Sequence, residues 1–188
     1  VFLESIIADI TPENSCHPGS SRSVKALLDQ YAGDVSVDKL AKEGIELTQH
    51  YVAPVCSPTR TGLMTGRCWS RFNVTTPQNP RALRWDTVTL PRALKSVGYD
   101  TCLTGKWHLG SKPEWGPNHF GFDHSYGSLA GGVGPYDHQY KKGEFQQTWH
   151  RNEKLLTESG HVTDLITKEA CDWLSQRGER PWAMVSRA

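Results

Sequence analysis

The sequence has no excess of charge of either sign and no long apolar run. Its 21 Lys and Arg residues are balanced by 20 Asp and Glu residues, for a net charge of +1. Such a balance gives no electrostatic basis for binding nucleic acid or an anionic membrane surface. A helix that spans a bilayer needs about 20 consecutive apolar residues, and no segment approaches that length. We therefore predict neither a nucleic-acid partner nor a membrane span.

Cysteine is also scarce, and its spacing excludes several kinds of small stabilised domain. The five cysteines are scattered and odd in number, and none forms a C-x-x-C pair. A disulfide scaffold, a zinc ribbon and a thioredoxin-like redox site are therefore not expected. The first ten residues lack the basic and small-residue features of a signal peptide, so none is predicted within this chain.

The sequence does contain alternating helix and strand patterns within a globular composition. An apolar run at residues 5–9 predicts a buried parallel strand ending at Asp9, at the sheet edge where ligands of α/β proteins gather. Residues 110–142 are rich in Gly, Pro, Tyr and His and predict a long irregular segment. Apolar periodicity predicts helices at 35–44, 87–97 and 162–176 and strands at 46–52, 99–104 and 181–185.

The order of these elements favours an open α/β sheet. The alternation of helix and strand stops just inside the last predicted strand. We therefore expect the sheet to be incomplete at its C-terminal side and the chain to be a fragment.

The segment Cys56-Ser57-Pro58-Thr59-Arg60 places a side chain capable of nucleophilic attack directly after a predicted strand. If a helix begins here, its N-terminal N–H groups and its dipole lie near Cys56. Arg60, one turn further on, has a guanidinium suited to an oxyanion with several oxygens. Taken alone, a single cysteine is more often a buried hydrophobic residue, and the arginines would be surface charges.

A second segment, Gly105-Lys106-Trp107-His108-Leu109-Gly110, follows the strand predicted at 99–104. Lys106 and His108 are two residues apart, so in a strand their side chains would face the same side. Lysine would then supply a positive charge for an anion, and histidine a hydrogen-bonding or proton-transferring group. A Lys-x-His pair by itself is a weak signal.

Together the two segments resemble the signatures of the sulfatase family. The family pattern C-x-P-x-R, followed after a fixed gap by T-G-R, is matched at all six fixed positions, and the G-K-W-H-L-G block is matched as well. Residues 35–44 and 121–123 also resemble sulfatase segments. The resemblance implies an alkaline-phosphatase-like α/β sandwich with a mostly parallel central sheet. Residues 1–188 would be the N-terminal portion of a single sulfatase catalytic domain.

The resemblance also implies the chemistry. A formylglycine-generating or equivalent maturation enzyme would convert Cys56 to formylglycine, whose hydrated aldehyde attacks the sulfur of a small-molecule or carbohydrate sulfate ester. Arg60 would support the hydrated aldehyde, Lys106 would bind the sulfate, and His108 would assist the hydroxyl and its release. Asp9 and Cys56 would bind a divalent metal, calcium by the family pattern. The location would be periplasmic, lysosomal or secreted.

Departures from the family pattern keep alternatives open. The family has paired aspartates after its first strand, whereas Ile10 follows Asp9 here. Calcium takes about six to eight oxygen ligands, so the chain is alternatively a catalytically inactive, truncated sulfatase-like remnant without a complete metal site. A Cys–His hydrolase, which uses the unmodified Cys56 thiolate with His108, is a further alternative. His138 is expected to be an exposed loop residue rather than part of the substrate cleft.

Overall fold

The structure, a computed structural model, describes residues 51–187 and the backbone of one earlier strand, β1 (Ser5–Ala8). Side chains are described for residues 51–186. Asp9, the predicted helix at 35–44 and most of the predicted strand at 46–52 lie outside the described residues. Tyr51 and Val52, at the end of that predicted strand, are not in a strand.

Three helices and five further strands follow in this part of the chain. The helices are α1 (Cys56–Thr65), α2 (Leu90–Ser96) and α3 (Val162–Ser175). The strands are β2 (Asp100–Lys106), β3 (His124–Ser128), β4 (Trp149–Arg151), β5 (Lys154–Leu155) and β6 (Trp182–Arg187). Short 3₁₀ helices lie at Trp69–Phe72, Pro113–Trp115 and Pro117–Phe120. The helices and strands predicted downstream of residue 86 are confirmed with shifted ends. None of the described helices is long and apolar enough to span a bilayer.

The six strands form one mixed sheet in the order β1-β6-β2-β3-β4-β5. At its centre, β6, β2 and β3 run parallel, whereas β1, β4 and β5 join by antiparallel pairing. The prediction of a parallel first strand is wrong, because Ile6 lies opposite Val185 in an antiparallel pair. A short apolar run is consistent with a strand, but it does not encode the strand's direction.

The segment 110–142 is less irregular than predicted, because it contains β3 and two of the 3₁₀ helices. The strand consists of His, Ser, Tyr, Gly and Ser, and Ser125 donates a hydrogen bond to Asn118 Oδ1 at 2.6 Å. Gly127 lies opposite Gly105, where an added Cβ would come within 2.2 Å of the Gly105 carbonyl oxygen. A strand with internally bonded polar groups and a required glycine has no apolar periodicity to reveal it.

Successive residues of β2 point to opposite faces of the sheet and bury apolar groups on both. On one face Cys102 packs with Trp173, Trp182 and Met184, beneath α3. On the other face Leu103 belongs to a larger cluster that includes Met64 of α1; its other buried members are Leu83, Trp107, Leu109, Phe120, Phe122, Leu129 and Val185. Because both faces are covered, the segments that follow the parallel strands are left at the carboxyl edge of the sheet.

A buried histidine couples the stability of this sheet to pH. His150, on β4, is fully buried, and its Nδ1 lies 2.7 Å from the carbonyl oxygen of Gly127. Burial lowers the pKa of His150 to about 4. Below about pH 6.5 the unfolded chain takes up a proton at this residue, whereas the folded chain does so only near pH 4. We therefore expect the free energy of unfolding to fall by roughly 3 kcal/mol as the pH drops through this interval.

Urea unfolding of the intact protein at a series of pH values from about 7 to about 4 measures this effect. His150→Gln is the comparison, because its side chain cannot take up the proton, and its stability should fall less over the same interval. Glu169 changes its protonation state in a lower pH interval than His150. Burial raises its pKa, but hydrogen bonds from His124 and Arg151 outweigh burial and lower the pKa of Glu169 to about 2. Parallel curves for the two proteins would contradict the prediction.

Candidate active site

Cys56 is the first residue of α1, and its side chain is half-buried. The preceding residue, Val55, is extended, and the Thr59 hydroxyl lies 3.0 Å from the carbonyl oxygens of both Ala53 and Val55. Pro58 lies in the first turn, where its missing N–H has no intrahelical role. These features start the helix at the predicted place, so the Cys56 side chain is at the positive end of the helix dipole.

The second segment turns away from the carboxyl end of β2. This strand ends at Lys106, and His108 has a φ of 56°, in the left-handed region. The Trp107 N–H donates to the Ser128 carbonyl at 2.8 Å and the His108 N–H to the Leu129 carbonyl at 3.0 Å. The prediction that Lys106 and His108 share a side assumes that both are in a strand. Because β2 ends at Lys106, this alternation does not extend to His108.

The two segments meet at Cys56 and His108, which are 52 residues apart in the sequence. The Cys56 Sγ lies 3.0 Å from the His108 Nδ1. His108 is only 4% exposed, so this contact is shielded from most of the solvent. A thiol and an imidazole nitrogen at this distance are within hydrogen-bonding range of each other. The structure thus brings together the reactive side chain of one motif and the proton-transferring side chain of the other.

Arg60 links α1 to the end of β2 through the backbone. Its side chain is 1% exposed; Nε donates to the Trp107 carbonyl oxygen and Nη2 to the Lys106 carbonyl oxygen. Lys106 itself is half-buried. Two of the five guanidinium N–H groups thus bind neutral carbonyls, and the contact of Arg60 with an oxyanion stays a prediction. Arg60 therefore contacts the same segment as Cys56, residues 106–108, but it does so through the backbone carbonyls of that segment.

Ser57 is a residue of this site that the sequence analysis missed. Its side chain is fully buried, and its Oγ donates to the His108 carbonyl oxygen at 2.9 Å. Ser57 Oγ also accepts a hydrogen bond from the Gln78 N–H at 3.3 Å. Serine is common at helix starts, so the residue type carries little signal. Its place inside the first motif, next to the predicted nucleophile, is the signal that could have found it.

His138 is buried, and the prediction of an exposed loop residue is wrong. Its side chain is 2% exposed. The ring stacks on Trp149 with centroids 4.7 Å apart, and Nε2 lies 3.0 Å from the Gly160 carbonyl oxygen. The stacking and this bond explain how a histidine in a polar segment becomes buried. We assign His138 to packing.

Within residues 51–186, no group of three or more His, Cys, Asp or Glu side chains is placed to hold a metal ion. Of the two predicted ligands, Cys56 is described and Asp9 is not. Calcium prefers oxygen ligands, and a thiolate is a soft ligand that suits other metals. Position 56 therefore fits calcium only when its sulfur has been replaced by oxygen.

Comparison with known proteins extends the likeness over most of the chain. A family model described as Sulfatase matches residues 11–186. Arylsulfatase J of Mus musculus is 41% identical over an alignment of 108 residues that covers 55% of this chain and 18% of the relative. N-acetylgalactosamine-6-sulfatase of Mus musculus is 33% identical over an alignment of 168 residues that covers 77% of this chain and 32% of the relative. The N-acetylglucosamine-6-O-sulfatase of Bacteroides thetaiotaomicron is 32% identical over 153 residues, 80% of this chain and 25% of the relative.

Solved structures show the same fold. Ps i-CgsB in complex with k-i-k-neocarrahexaose matches with a TM-score of 0.69 and 29% identity, over 80% of this chain and 38% of that one. BT4656 in complex with its substrate D-glucosamine-2-N,6-O-disulfate matches with a TM-score of 0.60 and 28% identity, over 85% of this chain and 31% of that one. The chain thus spans about a third or less of its curated relatives' length. The predicted alkaline-phosphatase-like α/β fold is confirmed, and the chain belongs to the sulfatase family.

Proposed function

We propose that the protein containing this chain is an arylsulfatase-like sulfuric ester hydrolase that cleaves a sulfate monoester through a formylglycine derived from Cys56. The 3.0 Å contact between Cys56 Sγ and His108 Nδ1 carries this proposal. It joins the two motifs that resemble the family signatures across 52 residues of sequence. A cysteine that served only packing would be expected among apolar groups, without an imidazole partner.

In this proposal each side chain of the site has one role. When hydrated, formylglycine supplies two hydroxyl groups on one carbon, one to attack sulfur and one to release sulfate. His108 exchanges a proton with a hydroxyl at position 56, because its Nδ1 already lies beside that side chain. Lys106 supplies positive charge for the sulfate oxygens, and the first N–H groups of α1 add hydrogen-bond donors. Arg60 supports the aldehyde indirectly, through the carbonyls that it binds.

The substrate class that we propose is a sulfated carbohydrate. Two of the relatives are named for the 6-sulfates of N-acetylgalactosamine and N-acetylglucosamine, and BT4656 is bound to a disulfated glucosamine. By the same likeness we place the protein in a periplasm, in a lysosome or outside the cell. Residues 1–188 form the N-terminal portion of a single catalytic domain in this proposal.

The proposed metal is calcium, with Asp9 and the oxygen-bearing residue at position 56 among its ligands. A bound calcium ion would supply positive charge where the sulfate binds. Chelation of the intact protein, followed by titration with calcium, tests this by thermal unfolding as well as by activity. An unfolding temperature that does not respond to calcium would count against the site.

The sulfatase proposal is tested by asking whether activity follows the aldehyde. The intact protein is produced with and without a formylglycine-generating enzyme, and mass spectrometry gives the fraction of aldehyde at position 56. Sulfate release from 6-O-sulfated N-acetylhexosamines and from 4-nitrophenyl sulfate should rise in proportion to that fraction. Fully converted protein that releases no sulfate from either class would favour the inactive remnant. Release by aldehyde-free protein with an intact thiol would favour the Cys–His hydrolase.

A further inference from the structure

The Ser57 hydroxyl joins three segments that build the candidate site. It belongs to α1, donates to the His108 carbonyl at 2.9 Å and accepts from the Gln78 N–H at 3.3 Å. The side chain is completely buried. The hydroxyl thus donates one hydrogen bond to a carbonyl and accepts one from an N–H. It is therefore not available to attack a substrate.

His108 needs such a partner because its backbone conformation is uncommon for a residue with a side chain. A φ of 56° lies in the left-handed region, which non-glycine residues adopt when their surroundings hold them there. The His108 N–H is bound by the Leu129 carbonyl at 3.0 Å. The His108 carbonyl is bound by Ser57, and the preceding carbonyl, of Trp107, by Arg60.

The imidazole ring is held as closely as its backbone. The backbone of Gly131 lies against the ring, and an added Cβ at Gly131 would come 2.6 Å from His108 Cε1 and 2.7 Å from Nε2. The ring therefore has little room to move away from Gly131. A small change in the His108 backbone would therefore change the direction in which Nδ1 points.

We propose that Ser57 is a positioning residue, whose hydroxyl holds the His108 carbonyl and thereby keeps Nδ1 directed at the reactive side chain of residue 56. The kinetic test of this inference rests on the proposed sulfatase function, whereas the contacts of the Ser57 hydroxyl do not. Thr59, two residues on, cannot replace Ser57, because its hydroxyl is turned to the carbonyls of Ala53 and Val55.

The test compares Ser57→Ala and Ser57→Thr with Thr101→Val in the intact protein. Thr101 is the matched control, because its buried hydroxyl also donates to a carbonyl, that of Gly121 at 3.0 Å, and accepts from a backbone N–H, that of Asp123 at 3.1 Å, but at the opposite end of β2 from His108. Each kcat is divided by the measured aldehyde fraction, so that a change in maturation does not enter. A 1 Å displacement of a catalytic group costs about 100-fold in rate. We expect kcat to fall by about 10- to 100-fold in Ser57→Ala, with KM changed less than about threefold.

Rescue and a spectroscopic signal separate positioning from general loss of structure. Ser57→Thr restores the hydroxyl and should recover most of kcat, whereas Thr101→Val should match the parent protein. NMR of ring-¹⁵N-labelled histidine should show shifted His108 signals in Ser57→Ala and parent-like signals in Thr101→Val. A normal kcat in active Ser57→Ala overturns the inference. If the parent protein has no sulfatase activity, the proposed function fails, and unchanged His108 signals in Ser57→Ala still overturn the inference.

Discussion

Replacement of Cys56 by serine is expected to abolish sustained turnover of sulfate esters, lowering kcat by roughly 10³-fold or more. Serine offers a single hydroxyl at the position where hydrated formylglycine offers two. A sulfate group transferred to that hydroxyl has no second hydroxyl on the same carbon to expel it. The replacement leaves α1 intact, because the helix is anchored by Thr59 and by the buried side chains of Ser57 and Arg60.

The measurement is steady-state sulfate release by Cys56→Ser, with Cys68→Ser and Cys171→Ser as matched controls. Both control cysteines are exposed, so their replacement should leave kcat unchanged. Cys102 is unsuitable as a control, because it is buried in the core and burial raises the pKa of its thiol. Multiple turnovers by Cys56→Ser at a rate near that of the parent would refute the formylglycine role.

Alkylation distinguishes the thiolate alternative from the aldehyde. Iodoacetamide would also label Cys68 and Cys171, the two exposed cysteines of the part of the chain that the structure describes, so the experiment uses the protein in which both are serine. Protein that carries an aldehyde at position 56 should keep its activity after treatment. Loss of activity that parallels alkylation of Cys56 would identify an unmodified thiolate, which the 3.0 Å contact with His108 could activate.

Arg60→Lys is expected to be nearly as damaging as loss of Cys56, although it conserves the charge. The guanidinium binds two successive carbonyls, of Lys106 and Trp107, with two N–H groups in one plane. A lysine ammonium is a single point and cannot reproduce that geometry. A buried carbonyl left without a partner costs about 1–3 kcal/mol. We expect the free energy of unfolding to fall by about 2–4 kcal/mol and kcat by about 100-fold or more.

Arg84→Lys is the matched control, because Arg84 also makes two hydrogen bonds in one plane but on the surface. Its guanidinium bonds both carboxylate oxygens of Asp86 at 3.0 Å, and its side chain is 81% exposed. Exposed ion pairs contribute little to stability, so Arg84→Lys should change the free energy of unfolding by less than about 0.5 kcal/mol. Denaturant unfolding and sulfate release of both variants give the comparison. Equal, small effects would show that Arg60 does not hold the end of β2.

The parts of this fold that the sequence predicts are those with a local signal. Helix α3 carries apolar residues at helical spacing, and Ile166 and Trp173 are indeed its buried residues. Helix α1 begins where Cys56 and Pro58 mark its first turn. The likeness of the two motifs to one family also predicts that Cys56 and His108 meet, although 52 residues separate them.

The parts that the sequence does not predict depend on contacts made across the fold. The direction of β1 is decided by its partner strand and not by its apolar residues. The roles of Ser57 and Arg60 depend on which carbonyls lie within reach once α1 packs against the end of β2. His138 becomes buried because Trp149 and the Gly160 carbonyl are brought to it by β4 and the segment before α3. No residue-type pattern within a short window encodes such partners.

Because the first motif is buried in the folded chain, its accessibility to another protein depends on when the chain folds. Pro58 and Arg60 are buried in the folded chain, and Arg60 is held by carbonyls 46 and 47 residues further along. A ribosome adding about 5–20 residues per second makes that stretch in roughly 2 to 10 s. For those seconds the motif exists while the groups that will cover it do not. In the proposed maturation, an enzyme that recognises these side chains would have to reach them in that interval or compete with folding afterwards, so the rate of translation would set the time available for forming the aldehyde.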